Sequence, residues 1–73
     1  MPTMTRVRST SVAAVGYDED RHELHVRFVD GDTYVYAMVP RSVYRALLEA
    51  ESIGGFVNAT LKPAYPCRPR DGG

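Results

Sequence analysis

Apolar and polar positions alternate cleanly in one stretch of the chain. Leu24, Val26 and Phe28 are separated by Glu23, His25 and Arg27, the period-two pattern of a strand with one buried face. Asp30-Gly31 follows, a hairpin signal because glycine accepts the positive φ such a turn needs. A second alternating run places Tyr34 and Tyr36 on one face and Thr33, Val35 and Ala37 on the other. Val39-Pro40 ends this strand, since proline has no N–H for a ladder and suits the first turn of a helix. Upstream, residues 7–17 read as an earlier strand. Gly16 near its end marks a bulge or a close backbone approach. The polar turn at residues 18–22 is too short for a parallel crossover, so this strand is an antiparallel neighbour.

The period then changes. Val43, Leu47 and Ala50, flanked by Tyr44 and Leu48, form a helical stripe from about Pro40 to Glu51. Ile53, Phe56, Val57, Thr60 and Leu61 repeat at helical spacing, predicting a second short helix that Pro63 stops near Lys62. Ser52 is placed to cap it. Gly54-Gly55 reads as a helix stop and restart. The pattern therefore predicts an α+β domain: a three-stranded antiparallel meander followed by two short helices on one of its faces. Residues 1–6 read as a flexible arm, 7–66 as the domain and 67–73 as a disordered tail.

Composition narrows the class. Seventy-three residues make one domain, which buries only about 60% of its unfolded surface and has a small core. A single cysteine, Cys67, leaves no intramolecular disulfide, which fits a reducing compartment. No apolar run resembles a signal peptide or a membrane span, so a cytoplasmic protein is expected. Nine basic and nine acidic side chains cancel, which disfavours affinity driven by nucleic-acid phosphates. The signs are segregated, however. Residues 18–32 hold six carboxylates against Arg21 and Arg27, and eight of the nine basic residues are arginine, a residue enriched at protein interfaces.

Few residues suggest chemistry. His22 and His25 stand three apart, so on a strand they point to opposite faces and cannot share a metal. Ser9, Ser11 and His25 lack the nucleophile elbow and the deep pocket of a hydrolase, and no enzyme activity is expected. Cys67 lies between prolines without a base to activate it. No cofactor is implied. Tyr34 and Tyr36 depend on hairpin register. With a two-residue loop they share a face with His25 and Arg27, an aromatic and basic platform of the kind that stacks bases. With a three-residue loop and Gly31 in the left-handed conformation, Val26 faces Tyr34 and Leu24 faces Tyr36, and both tyrosines are core. The need for burial in so small a chain favours the second register.

The ordered set Val7, Ser9, Ser11 and Val12; Gly16-Tyr17-Asp18; Leu24, Val26 and Phe28; Gly31; Tyr34-Val35-Tyr36; Val39-Pro40; Val43-Tyr44; Ser52, Gly54 or Gly55, Phe56 and Asn58; and Tyr65 resembles the KTSC domain. That short module occurs alone or at the C-terminus of some lysyl-tRNA synthetases. The chain is similar to stand-alone phage members that bind the host bacterial RNA polymerase, repress initiation and promote antitermination. The resemblance implies a monomeric, non-enzymatic, protein-binding regulator working in the bacterial cytoplasm. Arg6, Arg8, Ser9, Ser52, Asn58 and Lys62 are the candidate partner-binding residues. The alternative is an RNA-binding module that uses Arg27, Tyr34, Tyr36 and the basic tail.

Overall fold

The computed structural model describes residues 2–70. Five strands pair in chain order into one antiparallel sheet: β1 (Thr5–Arg6), β2 (Val12–Asp18), β3 (Glu23–Phe28), β4 (Thr33–Tyr36) and β5 (Cys67–Pro69). Helix α1 (Arg41–Glu49) follows β4. A second helical segment then runs through α2 (Ile53–Phe56), a π turn (Val57–Leu61) and α3 (Lys62–Ala64) before the chain returns as β5. The α+β class and the central hairpin agree with the sequence pattern.

The strand count is a correction: the sheet has five strands, not three. β1 lies in the stretch read as a loose arm, and β5 in the stretch read as a disordered tail. Met1 and residues 71–73, at the outer ends of those two stretches, lie outside the described residues. β5 is an edge strand, where Pro69 is tolerated because a missing N–H need not interrupt a second ladder. It pairs Cys67 with Tyr36, Arg68 with Val35 and Pro69 with Tyr34. The Arg70 N–H extends the ladder to the Thr33 carbonyl at 2.8 Å.

The β3–β4 hairpin adopts the three-residue loop. The Phe28 N–H donates to the Asp32 carbonyl at 2.8 Å, and the Gly31 N–H to the Phe28 carbonyl at 3.0 Å. Gly31 has φ 104°, which a side chain would strain. Leu24 therefore faces Tyr36, and Val26 faces Tyr34. A bulge does occur in β2, but between Val12 and Ala14. Gly16 instead marks a close approach: a Cβ there would lie 2.8 Å from the Thr3 carbonyl oxygen and 2.8 Å from Met4 Sδ.

Both helical segments cover the same side of the sheet. Val15, Leu24, Val26 and Tyr36 from the strands meet Leu47, Ile53, Val57 and Leu61 from the helices in one buried cluster. Their burial supplies most of the folding force, at about 25 cal/mol per Å² of apolar surface removed from water. Ser52 caps the second segment, its Oγ accepting from the Gly55 N–H at 3.0 Å.

Two further expectations change. Pro63 does not stop the helix. The Lys62 N–H donates five residues back, to the Val57 carbonyl. The widened turn resets the register, so Pro63 sits in the first turn of a new α segment, where its missing N–H costs little. Gly54 is more than a restart, because a Cβ there would collide with Ser11 Oγ. The β1–β2 loop thus rests on the second helical segment.

Candidate functional site

Alternation puts a second set of side chains on the sheet face that carries no helix. One row across it runs from Arg6 through Ala14 and Arg27 to Thr33. The next runs from Gly16 through His25 and Val35 to Arg68. Asp18 pairs with Glu23 in a third. Arg70 follows β5 beside Thr33. The helix-free face therefore gathers arginines from β1, β3 and the β5 segment, although the whole chain has no net charge.

His25 is the centre of this face. Only 5% of it is exposed, and neither ring nitrogen has a hydrogen-bond partner among the described residues. Its Nε2 stands 4.0 Å from Glu23 Oε1, beyond hydrogen-bond range. The ring lines a hollow of about 430 Å³ shared with Asp18, Arg21, Glu23, Val35, Arg68, Pro69 and Arg70. Burial is the main force lowering the His25 pKa, and the Arg70 and Arg68 guanidinium groups add to it. Glu23 and Asp18 act the other way without overcoming it. The imidazole is held neutral at pH 7.

The two carboxylates at this hollow are already engaged. Glu23 Oε2 accepts from Arg68 at 3.1 Å. Asp18 Oδ1 accepts the backbone N–H groups of Asp20 at 3.1 Å and Arg21 at 3.2 Å. Among the described residues, Arg21 and Arg70 have no carboxylate partner. No group of three or more His, Cys, Asp or Glu side chains among the described residues could hold a metal ion.

The residues singled out from sequence distribute over both sides of the sheet. Arg6 and Arg27 share a row on the helix-free face. Tyr34 and Tyr36 lie on the helix side, so the platform of Arg27, Tyr34 and Tyr36 does not form. Tyr36 is buried, and Tyr34 packs edge-on against Phe28 with ring centroids 5.9 Å apart. Lys62 stands over the Phe28 ring, 5.9 Å from its centroid. Ser9 Oγ accepts the N–H groups of Ser11 and Val12, both at 3.2 Å. It lies near Gly54, at the start of the second helical segment, which Ser52 caps. Arg8 is exposed between β1 and β2, and Asn58 is exposed in the π turn. Sequence reasoning placed Arg68 and Arg70 in a disordered basic tail and missed that the β5 segment brings them to His25. Their signal was an arginine at every second position, which is strand spacing hidden by flanking prolines.

A family model for the KTSC domain matches residues 8–65, and the chain belongs to that family. It is 45% identical over 62 residues to a protein of Tsukamurella paurometabola, spanning 85% of this chain and 92% of that one. A protein of Stutzerimonas stutzeri, described only as uncharacterized, is 41% identical over 59 residues, covering 81% and 83% of the two chains. The fold is similar to the crystal structure of a KTSC domain protein from Yersinia pestis, with TM-score 0.89 and 30% identity over 96% of this chain and 99% of that one.

Proposed function

We propose that this KTSC domain is a non-enzymatic docking module that engages an acidic surface of a partner protein through its helix-free sheet face. The observation that carries this reading is the convergence of Arg6, Arg27, Arg68 and Arg70 on that one face in a chain of zero net charge. Planar guanidinium groups on a sheet suit carboxylates, and such complementarity sets encounter rate and register. The serine hydroxyls of Ser9 and Ser52 are committed to backbone N–H groups, which favours a structural role for them over nucleophilic catalysis.

Bacterial RNA polymerase is the partner suggested by the resemblance to stand-alone phage members, and the cytoplasm is where a monomer of this kind would meet it. No helix of the described residues is long and apolar enough to cross a membrane. Binding would regulate transcription only so far as the module binds two polymerase states unequally.

The test is titration of purified polymerase with the intact chain and with an Arg6→Glu/Arg27→Glu variant. The wild type forms a complex that the variant loses. Absence of any complex removes polymerase as the partner. Salt-dependent binding of single-stranded RNA in its place, lost in the same variant, moves the face to nucleic acid.

A further inference from the structure

Buried polar side chains in folded proteins almost always have hydrogen-bond partners, and an exception calls for a reason. His25 is such an exception twice over, because both Nδ1 and Nε2 are unpartnered. Its neutral ring offers one N–H donor and one acceptor. The hollow it lines is ringed by Arg21, Arg68 and Arg70 and by the carboxylates of Asp18 and Glu23.

From this geometry we infer that the His25 hollow is an oxyanion-binding site, taking a carboxylate or phosphate group against the guanidinium groups of Arg70 and Arg68 and an N–H of His25. A cation is disfavoured on the same grounds. Three arginines surround the ring, and both carboxylates are already occupied, Glu23 by Arg68 and Asp18 by backbone N–H groups. Arginine forks match the planar oxygens of carboxylate and phosphate, and such charge-assisted bonds are the strong ones. The ring nitrogens are shut off from solvent, so the side chains that cover them must move as the oxyanion enters. Glu23 competes with the incoming group because it already holds Arg68.

The inference rests on the docking reading only for the source of the oxyanion, which would be an acidic side chain of the partner. The hollow itself takes the free ion. A failed polymerase titration therefore leaves the site standing, and a failed ion titration leaves docking standing.

The experiment is an NMR titration of the isotopically labelled full chain with inorganic phosphate, and separately with acetate, at constant ionic strength. The His25 ring-nitrogen resonances should move and saturate, while those of His22, in the exposed β2–β3 turn, should not follow them. Saturation by both ions marks a general oxyanion site, whereas response to phosphate alone assigns phosphate as the source. Arg70→Ala should weaken binding about tenfold or more. Glu23→Gln should tighten it by freeing Arg68. Both variants keep the apolar core, and the backbone amide spectrum verifies that they are folded. Unmoved His25 resonances with both ions, or an Arg70→Ala chain that titrates like wild type, would overturn the inference.

Discussion

The Tyr17 hydroxyl donates a 2.6 Å hydrogen bond to the Val39 carbonyl, tying β2 to the loop that enters α1. The Tyr17 ring also stacks on Tyr44 of α1, with centroids 5.3 Å apart and planes 13° from parallel. The same loop is held from the other side, where the Val39 N–H donates to the His22 carbonyl at 2.8 Å. Among the described residues, His22 and Met38 are the non-glycine residues with positive φ, at 55° and 58°. The Tyr17 and His22 contacts hold a loop whose backbone would otherwise relax. Tyr17→Phe keeps the stack and removes the bond. It should lower stability by about 1–2 kcal/mol, read as a lower urea midpoint with an unchanged slope. An unchanged midpoint would show that the bond holds nothing.

Gly16 should not tolerate alanine. The new Cβ would meet the Thr3 carbonyl and Met4 Sδ, and although a methionine side chain can move, the Thr3 backbone must lift off the sheet. Gly16→Ala should cost about 1–3 kcal/mol, as overpacking does. Faster hydrogen exchange at the Val7 N–H, bonded to the Ala13 carbonyl at 3.1 Å, is the local signature. Unaltered exchange there would mean that the N-terminal segment does not depend on this contact.

Stability should fall in mild acid because of His25. Its pKa is lowered in the folded chain, first by burial and then by Arg70, with Arg68 also lowering it and Glu23 and Asp18 opposing. The unfolded chain therefore takes up the proton first as pH drops below about 6.5. The contribution is complete above that pH and is lost progressively down to the folded-state pKa. His25→Gln should flatten this part of the stability curve. A variant that loses stability between neutral pH and pH 5 as steeply as wild type would contradict the assignment.

Tyr36→Ala would be an uninformative probe of nucleic-acid binding, because it should damage the fold. Tyr36 is 1% exposed and faces Leu24 across the ladder. Removing a buried aromatic ring costs about 3–5 kcal/mol, a large share of the 5–15 kcal/mol typical of a whole domain. Circular dichroism should show a strongly lowered melting temperature. A well-folded Tyr36→Ala chain would reopen the question of whether this ring has a surface role.

The elements legible in the sequence are those whose cause is local. Asp30-Gly31 and the strict alternation around it define the hairpin, and the helical stripes of Val43 to Ala50 and Ile53 to Leu61 define which faces are buried. Ser52 announces its cap in the same way. Each depends on residues a few positions apart, so the chain itself carries the signal.

β1, β5 and the site between them arise differently. Two or three residues are too few to display a period, and prolines beside β5 argue against a strand. β5 forms because β4 leaves an edge of unpaired N–H and C=O groups that the chain meets again about thirty residues later, once the helices have turned it back. That return brings Arg68 to Glu23 and Arg70 to the neighbourhood of His25. A histidine that alternation alone marks as one more solvent-facing strand residue is thereby buried among charges. Beyond the alternate spacing of Arg68 and Arg70, composition and pattern carry no trace of such a meeting, because it is made by the closure of the sheet.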